Sequence, residues 1–125
     1  MNSTLTASAA GKAVFTSDAK WLHPIFELEA FLLSAAGRSA GLTAAALDVD
    51  DKIVGRAAAL LLVYLGVGSV HARLLSEHGR EVLEAHGVRY SYDELVERIS
   101  CKTETLLIGV TDPATAHRLL QARAQ

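Results

Sequence analysis

Apolar and polar positions alternate in different rhythms along this chain, and each rhythm predicts an element. Ile25, Leu28, Phe31 and Leu32 recur on one side of a 3.6-residue turn, which predicts a helix opening at His23-Pro24. Proline suits a first helical turn because its missing N–H has no partner there, and Gly37 is expected to end the helix. Upstream, Thr4 to Ser8 and Ala13 to Thr16 flank Ala10-Gly11-Lys12 and predict a two-stranded hairpin. Ala57 to Leu65 is an apolar run of nine residues. Extended back to Lys52, it predicts a helix that is apolar almost all round beyond Arg56, and so a central, buried one.

The remaining segments read as strands feeding helices. Leu42 to Leu47 is a short apolar stretch, expected as a strand ended by Asp48, Asp50 and Asp51, with an aspartate capping the helix at Lys52. Gly66 to Ser69 is a helix stop and turn. Ser69 to Leu75 predicts a strand, after which Ser76 caps a helix, Glu77 complements its dipole, and the helix ends near Gly87. Val88 to Tyr92 is expected as a strand, Asp93 to Ile99 as a helical turn or two, and Thr103 to Val110 as a short helix. Asp112-Pro113 then signals the start of a terminal helix. This order predicts an α/β layered fold. No Pro/Ser/Gly-rich linker, charge block or long repeat divides the chain, so residues 1–125 read as one domain.

Composition narrows the function classes. Half of the 125 residues are hydrophobic and 21% are charged, as in a packed globular protein. A net charge of −2 and a pI near 6.2 give no basic surface for a nucleic-acid polymer. The longest apolar run is about half of the roughly 18–20 residues a bilayer span needs, and the first residues do not form a secretory signal. A single cysteine, Cys101, forms no internal disulfide and fits a reducing compartment, so a cytoplasmic protein is expected.

Five segments taken together resemble a known family. They are the Gly11-Lys12 hairpin, the Pro24-Ile25-Phe26-Glu27-Leu28 helix, Asp51-Lys52-Ile53-Val54-Gly55-Arg56-Ala57-Ala58-Ala59-Leu60-Leu61, Ser76-Glu77, and Cys101-x-x-Glu104. In this order they are similar to a bacterial family, domain-of-unknown-function family 1893, over nearly the whole chain. The resemblance implies a cytidine-deaminase-like fold, a three-layer α/β/α sandwich around a mixed sheet. Zinc deaminases place H-x-E at one helix start and P-C-x-x-C at another, giving three zinc ligands and a proton-shuttling Glu. Laid on that pattern, Val54 takes the ligand position and Arg56 the shuttle position, while Ser100-Cys101-Lys102-Thr103-Glu104 keeps one cysteine and lacks the proline. Two potential ligands stand where three are required, and no histidine lies between Asp48 and Leu65. No metal or other cofactor is expected, and zinc-dependent deamination is not.

Residue spacing offers other chemistry. Lys52 and Arg56, four apart, are expected on one face of a helix N-terminus, either as an anion site or as a solvated pair neutralised by Asp50 and Asp51. Cys101 is either an activated thiol at a helix start or an inert buried one, and Glu104 either caps that helix or binds a ligand. His71 falls in a strand and is expected as a hydrogen-bonded structural histidine; Trp21, Leu22, Tyr90 and Tyr92 are expected to close core edges.

The expected ligand-binding set is Asp51, Lys52, Gly55, Arg56, Ser76, Glu77, Cys101 and Glu104, lining a cleft for a small anionic metabolite or nucleotide in a regulatory or sensing role. Two alternatives stay open. One is an enzyme with altered chemistry using Cys101 and Glu104; the other is a structural domain that forms a homo-oligomer.

Overall fold

A computed structural model describes residues 3–99, 107 and 109–124. The chain opens with a hairpin, β1 (Leu5–Ala9) and β2 (Lys12–Ser17). Ala10 and Gly11 between them have φ of 53° and 79°, the double left-handed loop whose twist matches paired strands. There follow α1 (His23–Leu33), α2 (Ala35–Ser39), a 3-10 turn (Ala44–Ala46), β3 (Leu47–Val54), α3 (Arg56–Leu65), β4 (Ser69–Ser76), α4 (Glu77–Ala85), β5 (Arg89–Val96) and α5 (Pro113–Ala124). The strands form one mixed sheet in the order β2-β1-β3-β4-β5. β1 runs antiparallel to both neighbours, while β3, β4 and β5 are parallel.

Four boundaries differ from the sequence expectation. The first helix ends at Ser34, not Gly37. Ser34 turns extended and its Oγ accepts the Gly37 N–H at 3.2 Å, capping a second short helix that contains the glycine. The stretch before Leu47 is largely not strand; β3 begins at Leu47 and runs through all three aspartates to Val54. β3 pairs with a strand on each side, so ladder bonds on both edges outweigh the local capping preference of Asp48, Asp50 and Asp51. Lys52 is one of those rungs, its N–H bonded to the Thr4 carbonyl at 2.9 Å, so the central helix starts at Arg56. β5 likewise continues through Asp93 to Val96, where Val96 pairs with Ser76. The helix expected from Thr103 to Val110 lies mostly outside the described residues.

Both ends of α3 follow from residue type. Six consecutive residues, Ala57 to Leu62, are buried, as the all-round apolar pattern requires. Gly66 ends the helix at φ 83°, donating its N–H to the Leu62 and Val63 carbonyls in a conformation that a side chain would strain.

Alternation along the strands gives the sheet two unlike faces. On one, Leu47 and Val49 of β3, Val70 and Ala72 of β4, and Leu5 and Ala7 of β1 are buried. α1 docks there through Phe15–Phe31, with ring centroids 5.3 Å apart, and through a 2.5 Å bond from Ser17 Oγ to Glu27. α4 docks there through the Tyr90 hydroxyl bonded to Glu84, and α3 packs against α1, α4 and α5. The other face carries the intervening polar residues, among them Asp48, Asp50, Ser69, His71 and Arg73.

Candidate functional site

At the carboxyl ends of β3 and β4 the chain turns directly into a helix, twice. Ligands in open α/β sheets gather at such strand ends, where helix N–H groups point outward. Gly55 is the extended N-cap of α3, and Arg56 is the first helical residue. The Arg56 guanidinium donates from Nε at 3.1 Å and Nη2 at 2.5 Å to the Val110 carbonyl, fixing the segment ahead of α5 to the start of α3.

At the second junction Ser76 is fully buried, and its Oγ accepts the Gly79 N–H at 3.0 Å. Glu77 follows as an exposed acid in the first turn of α4, the charge that end of the dipole favours. The two junctions touch. A Cβ on Gly79 would lie 2.9 Å from the Val54 carbonyl oxygen and 3.1 Å from that of Gly55, so the bare glycine is what lets α4 close against the β3–α3 turn. Gly55 and Arg56 open one of these abutting helices, and Ser76 and Glu77 open the other.

Lys52 is not. It stands exposed within β3, and residues 52 and 56 share no helical face because one is in a strand and the other in a helix. The expected Lys52–Arg56 anion pair is thereby overturned. Asp51 is not a helix cap either. It pairs across the ladder with Leu5 and Ala72, on the helix-covered face, at 5% exposure. Burial raises its carboxyl from the ordinary 3.8 to about 7, against the lowering pull of the Lys52 and Ile53 backbone amides and the Arg73 guanidinium. The sequence singled out Asp51 but not its burial. The signal was available in the every-other-residue series Leu47, Val49, Asp51, which only a strand reading exposes. Cys101 and Glu104 lie outside the described residues.

Other candidates fall into place. His71 is a hydrogen-bonded strand histidine, joined to Ser91 and Asp93 on the polar face. Leu22 is buried as expected, whereas Trp21 and Tyr92 remain 41% and 40% exposed. His117 is half-buried. It stacks on Tyr64 at 4.1 Å between centroids and meets Glu29 at 3.0 Å. Where a zinc deaminase would place a ligand and a proton shuttle, Val54 offers no donor atom and Arg56 offers a cation already engaged with a carbonyl. These residues do not fit a catalytic zinc.

The result is a small mixed-sheet α/β domain whose distinguishing feature is a pair of abutting strand-to-helix junctions. The chain belongs to the family described as Domain of unknown function (DUF1893), whose model matches residues 2–123. It is similar to the crystal structure of a DUF1893 family protein, TM1506 from Thermotoga maritima, at 26% identity and a TM-score of 0.82, covering 97% of this chain and 80% of that one. No curated protein matches the chain. Among the described residues, no helix is long and apolar enough to cross a membrane.

Proposed function

We propose that this chain is a non-zinc, deaminase-like module that binds a small anionic ligand, a nucleotide or related metabolite, at the paired junctions. Its role would be regulatory or sensing, in the cytoplasm. The observation that carries this reading is the packing of two helix starts against each other by Gly79, with Arg56 at the mouth of one and the Ser76 cap at the other. The N-terminus of α3 and the Arg56 guanidinium at its first residue favour negative charge at one place. The cytidine-deaminase-like, three-layer reading is supported by the order of an antiparallel hairpin beside three parallel strands. It is also supported by full burial of Val54 and Leu75, which by alternation point away from the face that α1 and α4 cover.

A panel of nucleotides and phosphorylated metabolites tests the proposal by thermal shift. Binding by the parent chain is expected, weakened by Arg56→Gln and retained in part by Arg56→Lys. A panel that leaves the melting temperature unmoved would sink it.

The second reading, an enzyme with altered chemistry, is favoured by one observation. Asp51 titrates near neutrality inside the domain, as a general acid or base does. In that reading Asp51 joins Cys101 and Glu104. Turnover that Asp51→Asn abolishes while ligand still binds distinguishes it from the sensing role.

A further inference from the structure

The polar face of the sheet, away from the paired junctions, holds an arrangement that neither function above uses. His71 on β4 lies between two residues of β5. Its Nδ1 is 2.7 Å from Ser91 Oγ, and its Nε2 is 3.1 Å from Asp93 Oδ1. The parallel register produces this directly, because His71 pairs with Ser91 and Asp93 follows two residues later on the same face. A groove of about 440 Å³ opens over the site, with Ser8, Asp48, Ser69, His71, Arg89 and Ser91 in its lining.

A carboxylate at Nε2 selects the tautomer with the proton on that nitrogen and leaves the Nδ1 lone pair facing the serine hydroxyl. The roles match those of a nucleophile, a base and an orienting acid, with the two ring nitrogens exchanged relative to the common serine-protease pattern. All three residues sit on paired strands, which hold side chains more rigidly than loops do. Ser69, in the same groove, is a built-in contrast. Its hydroxyl donates to Asp48 Oδ1 at 2.6 Å, a carboxylate rather than an imidazole.

We propose that Ser91 is an activated serine that attacks small, uncharged acyl esters entering this groove. Ser91 Oγ forms a bond to the acyl carbon while its proton passes to His71 Nδ1. The ester C–O bond breaks, and the leaving alcohol takes that proton. Water then attacks the acyl-serine, gives a proton to His71 and, as the acid departs, Ser91 recovers it. Asp93 is a positioning residue, holding the Nε2–H throughout. An uncharged acyl group is specified because the Asp48 carboxylate lines the groove and Arg73 is already paired with Asp50, which leaves the Arg89 guanidinium to steady the developing oxyanion.

The test is covalent labelling of the full chain with a fluorophosphonate, read by mass spectrometry, alongside hydrolysis of p-nitrophenyl acetate. Labelling is expected on Ser91 and not on Ser69, and Ser91→Ala should abolish it. His71→Gln should slow it by about 10²-fold, the scale of a lost general base. Asp93→Asn should slow it several-fold, and Asp93→Glu should restore most of the rate. Asp93 is solvent-exposed, so those two variants stay informative if His71→Gln fails to fold. An unlabelled Ser91, or labelling at an unchanged rate without His71 or Asp93, overturns the proposal and leaves cross-strand pairing as the role of all three. None of these outcomes depends on whether a nucleotide binds at Arg56.

Discussion

The two faces of the sheet are made by the same strands, residue by residue, yet they obey different physics. On the helix-covered face a side chain is held by exclusion of water, and Leu47, Val49 and Ala72 have essentially no exposed surface. On the other face the neighbours of those residues pair with one another. Ser69 bonds Asp48; Arg73 bonds Asp50 at 3.2 Å and also reaches the Ser3 carbonyl at 2.5 Å; His71 bridges Ser91 and Asp93. The first face is where stability is concentrated, at about 25 cal/mol per Å² of apolar surface. The second contributes a few tenths of a kcal/mol to about 1 kcal/mol for each cross-strand pair. What a residue contributes thus depends on the face it occupies more than on its type.

Asp51 is the residue that violates this division, and it gives the largest test. Its carboxyl titrates near 3.8 when the chain is unfolded and near 7 when folded, so between those values the folded state holds a proton that the unfolded state has lost. Stability is therefore greatest below pH 3.8 as far as this group is concerned. It declines as pH rises towards 7 and is flat above. At 1.36 kcal/mol per unit the loss approaches ~4 kcal/mol, and Asp51→Asn is expected to recover much of it at pH 8. Urea denaturation of both chains from pH 5 to 8 measures the difference; parallel curves would show that Asp51 does not carry the decline.

Next in size is the core itself. Leu60→Ala, in the fully buried run of α3, is expected to lose about 3 kcal/mol because surrounding helices cannot collapse into the void. Gly79→Ala should lose about 1–2 kcal/mol despite the better helix propensity of alanine, since its Cβ would press on two backbone carbonyls at the paired junctions. A gain in melting temperature for that variant would mean that the junctions are not in close contact. Ser76→Ala removes the cap of α4 and should lose about 1 kcal/mol. The smallest change belongs to the polar face, where Ser69→Ala should shift stability by less than about 0.5 kcal/mol. A loss there comparable to Leu60→Ala would erase the contrast between the faces.

Elements whose pattern and boundary signals coincided were legible from the chain alone. The hairpin at Ala10-Gly11, the opening of α1 at Pro24, the cap of α4 at Ser76 and the start of α5 at Asp112-Pro113 all fall where local chemistry puts them. β3 was not legible in the same way. Its aspartates carry a strong local preference for caps and turns, and nothing nearby in sequence shows that β1 and β4 will pair with both of its edges. The same displaced boundary accounts for the site. Gly55, Arg56, Ser76 and Glu77 punctuate helix starts and are legible from residue type, while Lys52 lies in a strand that runs past the point where the local pattern begins the helix. The bonds from Arg56 to Val110 and from His71 to Ser91 cross 54 and 20 residues and leave no trace in any local window.

By itself the sequence determined the α/β class, the buried central helix, the capped helix starts and the lack of a zinc donor set around Val54 and Arg56, because each depends on residue type and short-range spacing. Tertiary structure decided which side of the sheet each strand residue faces. A shift of one residue exchanges every side chain between core and solvent, and only the pairing partners fix that register. Asp51 is therefore a buried acid and Lys52 beside it an exposed base.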